Sequence, residues 1–148
     1  MAFQFPLEVL LRVRQGLERQ QELRLQEANH RVAMLRQQIE DIHRGMENIE
    51  ARRCPQMMSG ISAAELQFDV LCHSVLVERR RVLEKEQVEA KAFRQICSAA
   101  FQFARRQREV MDTLRRHQLR DYHQQEARQD QRRLDDLFLL RRAYLQRN

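Results

Sequence analysis

Apolar residues recur along the first third of the chain at alternating spacings of three and four. Leu25, Ala28, Val32, Leu35, Ile39, Ile42, Met46 and Ile49 occupy every such position, and most residues between them are charged or polar. A 3.5-residue repeat keeps one stripe of a helix against a neighbour while the two wind left-handedly around each other. The pattern therefore predicts a long helix with one narrow buried edge. A broader stripe of Leu7, Leu10, Leu11, Val13 and Leu17 precedes it. Pro6 suits a first helical turn, where a missing N–H costs nothing, and Glu8 faces the positive helix end. One helix is read from about Pro6 to about Arg52.

Punctuation is concentrated in Arg53-Cys54-Pro55-Gln56-Met57-Met58-Ser59-Gly60. Proline removes a donor and disfavours helical geometry at Cys54, and Gly60 accepts the positive φ of a turn. The turn is placed at about 53–61. Ser62 followed by Glu65 has capping-box spacing and marks a second helix. No Gly or Pro follows, so this helix is read over about 62–146, about 120 Å at 1.5 Å per residue. Its most apolar heptad register takes Phe68, Cys72, Val75, Val82, Phe93, Ile96, Ala100, Phe103, Val110 and Leu114. Arg79, Glu86, Glu89 and Gln107 are its polar exceptions.

A short turn makes the two helices antiparallel. The chain is thus read as an all-α, single-domain, antiparallel coiled-coil hairpin over residues 1–148, with the second helix longer and overhanging. Setting Met46 against Phe68 places Ile42 on Cys72, Ile39 on Val75 and Val32 on Val82. Toward the other end, Leu17, Val13 and Leu10 would meet Ile96, Ala100 and Phe103. On this register the first helix runs out near Val110 to Leu114 and everything beyond overhangs. Arg115 to Arg133 is almost wholly polar. Then Leu134, Leu137, Phe138, Leu140, Tyr144 and Leu145 crowd together, with Arg132, Arg133, Arg141 and Arg142 among them. An apolar stripe on an unpaired helix end points to an interaction surface. The alternative is a tail that folds back on Phe3 and Phe5, or frays in solution.

Composition agrees with a long-helix protein. Charged residues make up 32% and aromatics 6%, with three glycines and two prolines, which leaves little to turn corners or fill a round core. Net charge is +6, carried almost wholly by arginine. Guanidinium favours bidentate contact with carboxylates and phosphates, so acidic protein, nucleic acid and anionic lipid are the open partner classes. The cations are interleaved with acids, as on a solvated helix face. Arg105, Arg106 and Arg108 are followed by Glu109 and Asp112, and no array of stacking aromatics accompanies them, so no nucleic-acid partner is expected.

Catalytic constellations are absent from the sequence. There is no glycine-rich phosphate loop. His73 and Ser74 are adjacent and diverge on a helix, and His117 and His123 are six apart, not three or four. Cys54, Cys72 and Cys97 lack the spacing of a zinc site or a disulfide framework and read as reduced thiols. No enzyme activity, metal or cofactor is expected. Met1 to Leu11 lacks the cation and cleavage site of a signal peptide, and no stretch reaches the length of a membrane span.

Three segments together resemble a known family. Phe5, Leu7, Glu8, Leu10 or Leu11, and Arg12 or Arg14, with Glu18 and Glu22, resemble the N-terminal signature of FliJ proteins. Gly60-Ile61-Ser62-Ala63-Ala64-Glu65-Leu66 is similar to the start of their second helix, and Arg133-Leu134-Asp135-Asp136-Leu137 to their C-terminal acidic-leucine motif. The resemblance implies a small coiled-coil component of the flagellar type III export apparatus, shaped like the central stalk of a rotary ATPase. It implies three partners: a hexameric export ATPase entered by the terminal end, the linker of the membrane export gate, and export chaperones. It also implies a cytoplasmic location, peripheral at the inner face of the membrane through those partners. The gate contact would fall on Gln38, Ile42, Gly45 and Ile49 in the first helix and on Cys72, Leu76, Arg79 and Leu83 in the second. Gln38, Ile42 and Leu76 fit the family pattern, while Gly45, Cys72, Arg79 and Leu83 depart from it. The candidate partner-binding residues are therefore Gln38, Ile42, Ile49, Cys72 and Leu76 in mid-hairpin, and Arg132, Arg133, Leu134, Leu137, Phe138 and Arg141 at the end. A generic coiled-coil adaptor that self-associates through the terminal stripe is the competing reading, with nucleic-acid binding behind it.

Overall fold

A computed structural model describes residues 3–146 of the chain. Two helices, α1 (Glu8–Ser59) and α2 (Ala63–Gln146), pack against each other, and 94% of the structure is helical with no strand among the described residues. The fold is an all-α coiled-coil hairpin. By contact density the chain divides into two compact units, one formed by Arg19–Gln102 and one by Met1–Glu18 with Phe103–Asn148.

In the Arg19–Gln102 unit, α1 presents the seam its spacing predicts. Ala28, Leu35 and Ile49 are buried, and Leu25, Val32, Ile39, Ile42 and Met46 are half-buried. Leu35 joins Leu83 and Ala90 of α2 in the core cluster, with Val32, Ile39 and Ile42 packed around it. The α2 register differs from the one its apolar spacing favours. Leu83, Ala90 and Cys97 face inward, seven residues apart, with Leu76 half-buried one heptad earlier. Phe68, Val75, Val82, Phe93 and Ile96 are instead exposed. The inward stripe was hidden because its alternate positions, His73, Arg80 and Gln87, are polar. Long side chains there cover the seam with their stems, although Arg80 keeps its Nε buried without a hydrogen-bond partner. His73 lies 3.8 Å from Glu50, and Arg80 lies 3.5 Å from Glu84.

The turn is shorter than the punctuation implies. Helix α1 does not stop near Arg52 but continues through Pro55 to Ser59. Proline removes one intrahelical bond, and so close to the helix end few others depend on it. Ser59 Oγ donates to the Gln56 carbonyl at 3.2 Å, satisfying one of the last carbonyls. Gly60 then takes φ +90°, the left-handed conformation that ends a helix without a Cβ clash.

The capping box opens α2. The Glu65 N–H donates to Ser62 Oγ at 3.2 Å, and Glu65 Oε2 accepts from the Ser62 backbone N–H at 3.0 Å and from its hydroxyl at 2.9 Å. The bond from the Ser62 backbone, followed by that from its hydroxyl, lowers the Glu65 pKa below its ordinary value of 4.5. A carboxylate with a lowered folded-state pKa stabilises the fold fully above the unfolded value, and that contribution is lost as pH falls through the folded one. Glu65→Gln is therefore expected to lower the melting temperature at pH 7 and to have a shrinking effect as pH falls below about 4.5. Thermal melts of both proteins across pH 3–7 would check this. An equal difference at all pH values would contradict it.

In the other unit, Leu11 is almost fully enclosed, at 1% exposure, and Phe5, six residues earlier, is also buried. Phe3 places its ring 5.6 Å from that of Tyr122. Glu8 lies 3.7 Å from Arg115. The start of α1 thus reaches Arg115, and the segment before it reaches Tyr122. The overhang expected from 115 starts at 123, and every described residue from His123 to Gln146 is exposed.

Candidate functional site

The terminal stretch of α2, residues 123–146, carries the candidate interaction surface. Leu134, Leu137, Phe138, Tyr144 and Leu145 are each 61–70% exposed. Helical geometry puts residues three, four and seven apart on one face. Leu134 is seven before Arg141, Leu137 four before, Phe138 three before, and Leu145 four after. Arg141 therefore sits inside the apolar face, and Asp135 and Asp136 turn to the other side. The face is ordered along its helix by local pairs only, such as Gln131 to Asp135 at 3.0 Å and Arg133 to Asp130 at 3.4 Å. The folding-back alternative does not hold, because Phe3 is engaged with Tyr122 and these side chains stay exposed.

Charge follows the same partition. From Phe103 to Asn148 the sequence has twelve arginines against seven acids, which accounts for most of the net +6. The base of this segment is held by an ion-pair cluster that sequence reading missed. Arg108 donates to both oxygens of Glu18, at 2.7 and 3.1 Å, and its Nη1 donates to Asp112 at 2.7 Å. Those contacts, Glu18 foremost, raise the Arg108 pKa further above its ordinary value. Arg14 donates to Gln107 alongside. The signal available in the sequence was Arg108 with Asp112 at i, i+4; Glu18 is ninety residues away.

A fork of this kind is worth more than an exposed pair and less than a fully buried one. Arg108 and Glu18 are about one-quarter and one-fifth exposed. Arg108→Ala is expected to cost about 1–2 kcal/mol. Urea unfolding at low and high salt checks it; a loss below a few tenths of a kcal/mol at low salt would contradict the assignment.

The mid-hairpin candidates are arranged differently. Gln38 is exposed. Ile42 packs on the core cluster and Ile49 is buried. Cys72 and Leu76 are half-buried, and a Cβ on Gly45 would stand 3.6 Å from the Leu76 side chain. Ile42, Ile49 and Leu76 thus serve the hairpin itself, which leaves Gln38 as the most open of the group. Arg132, Arg133, Leu134, Leu137, Phe138 and Arg141 are all exposed.

An open groove of about 550 Å³ lies along Arg108, Asp112, Arg115, Arg116 and Leu119. Among the described residues, no three His, Cys, Asp or Glu side chains converge to hold a metal. No helix there is long and apolar enough to cross a membrane.

A long hairpin with a free, basic, apolar-faced end is shared by many coiled coils, and comparison with known families separates them. The model of the flagellar FliJ protein family matches residues 3–148. The chain belongs to the FliJ family. It is accordingly a component of the flagellar export apparatus, in a family of structural, non-catalytic members. No curated protein and no solved structure matches the chain. The family match spans both helices and the terminal stretch.

Proposed function

We propose that the chain is a stalk and coupling component of the export apparatus. Its terminal stretch enters a hexameric export ATPase and promotes ring assembly and turnover. The mid-hairpin shoulder around Gln38 links the ATPase to the membrane export gate and to export chaperones. The chain works in the cytoplasm, held at the inner face of the membrane by these protein partners. One observation carries the reading: a complete helical segment, 123–146, is exposed on all sides and bears an apolar face with Arg141 inside it. A surface complementary to it is apolar with a carboxylate at its centre, which is the inner wall of a protein channel rather than a nucleic acid.

Adding the full chain to the flagellar export ATPase of the same organism at low salt is expected to raise ATP turnover and the fraction assembled as rings. Unchanged turnover at stoichiometric and excess chain would count against the proposal. The salt dependence is also informative. Exposed arginines steer association, so stimulation at sub-saturating chain is expected to weaken as ionic strength rises.

A further inference from the structure

The register of α2 that faces mostly away from α1 is itself a heptad seam, apolar at seven of its ten positions, with Cys72, Glu86 and Ala100 half-buried. Within the Arg19–Gln102 unit it runs Phe68, Cys72, Val75, Arg79, Val82, Glu86, Glu89, Phe93, Ile96, Ala100, alternating four and three. Phe68, Val75 and Ile96 are 66%, 61% and 67% exposed. At about 100° per residue, this seam lies about 100° around the helix from the inward one. A helix with two seams at that angle packs against two neighbours, as in a bundle, and α1 is only one of them. The seven-residue period specifies a helical partner wound in a left-handed supercoil rather than a strand or a loop.

The charges in the seam say which helix. Its polar positions are Arg79, Glu86 and Glu89, and among the described residues none of the three is in an ion pair. A second copy laid antiparallel, with the twofold axis beside Glu84, brings Arg79 opposite Glu89 of the second copy, and Glu89 opposite its Arg79. The same register sets Phe68 on Ala100, Cys72 on Ile96 and Val75 on Phe93, apolar against apolar. Only Val82 against Glu86 is mixed, one turn from the paired charges. A parallel pairing would stack Arg79 on Arg79 and each Glu on its own image. Sliding the antiparallel pair by one heptad would put Arg79 against Val82 or Ile96, and a buried cation without a partner is costly.

We propose that a second copy of this chain covers this face, in an antiparallel α2–α2 contact centred near Glu84 and held in register by reciprocal Arg79–Glu89 pairs. The proposal does not depend on the function of the terminal stretch.

Sedimentation velocity of the full chain, from about 1 to about 200 µM in low salt, spans the affinities at which such a contact is visible. A reversible dimer is expected in the wild type. Arg79→Glu and Glu89→Arg should each weaken dimerisation by about tenfold or more, since each creates two like-charge layers. The double variant Arg79→Glu/Glu89→Arg should restore the dimer, because it exchanges the charges in both layers. Restoration also excludes misfolding as the cause of loss. Ile96→Cys under mild oxidation should give an interchain link between Cys72 and position 96, identified by peptide mapping. A wild type that stays monomeric throughout would overturn the proposal. So would single charge reversals that leave the dimer intact, or links only between identical positions.

Discussion

Leu83→Ala is expected to cost about 2–4 kcal/mol, while Phe68→Ala costs no more than about 0.5 kcal/mol in dilute solution. The sequence alone ranks them the other way. Phe68 is larger, begins the most apolar heptad of the second helix, and sits near the turn where pairing looked best. In the structure Leu83 is 2% exposed, at the centre of a cluster with Leu35 and Ala90, whereas Phe68 is 66% exposed. Truncating Leu83 removes three carbons from a site lined on both helices, and a thin two-helix core has little around it to collapse into the space. Truncating Phe68 removes contacts made mostly with water. Urea denaturation at about 1 µM, below the range where two copies would pair, compares the two directly. Equal losses, or a larger loss for Phe68, would restore the register that the apolar spacing favours.

The second large effect is functional and separates surface from scaffold. Leu134→Asp/Phe138→Asp is expected to abolish stimulation of the export ATPase while leaving helicity and melting temperature within a few degrees of wild type. Both side chains are more than 60% exposed, and both lie in a stretch where every described residue is exposed, so neither contributes to a core. Two carboxylates placed on the apolar face would repel an acidic wall and would cost desolvation in an apolar one. Arg141→Glu, which leaves the apolar residues intact, should weaken stimulation less than the double change. Circular dichroism and steady-state ATP turnover on the same preparations give both readouts. Normal stimulation by a folded double variant would remove the terminal stretch from the mechanism.

How far the chain could be read in advance differs between its helices for one physical reason. The α1 seam is legible because all eight of its positions are apolar and nearly everything between them is charged or polar; period and burial coincide. The capping box at Ser62 and Glu65 is legible because it is local, three residues long, and needs no tertiary partner. Helix α2 carries two seams, and its apolar content is greater on the one that faces away from α1. Hydrophobic spacing alone selects the richer stripe, yet the hairpin buries the one that carries Leu83, Ala90 and Cys97. The error then propagates. A register displaced along the helix moved the end of the partnership from Tyr122 back to Leu114, and the pairs Phe3–Tyr122 and Glu8–Arg115 were out of view.

Pro55 shows a different limit. Proline is a strong breaker in a helix interior, but its cost depends on how many bonds remain beyond it. Four residues from the end of α1 it ends nothing, and Gly60 does the turning. The candidate surface was legible for a simpler reason: solvated helix does not need apolar residues, and Leu134 to Leu145 supplies a face of them. The ion pair from Arg108 to Glu18 was not legible, since nothing in either neighbourhood marks a partner ninety residues away.

The central claim is that the terminal stretch, and not the mid-hairpin, is what the ATPase holds. A photocrosslinking side chain placed at residue 137, and separately at residue 38, tests it on the full chain mixed with the export ATPase. Position 137 is predicted to give an adduct with the ATPase subunit and position 38 none. An adduct from position 38 alone, or no ATPase adduct from position 137, would contradict the account.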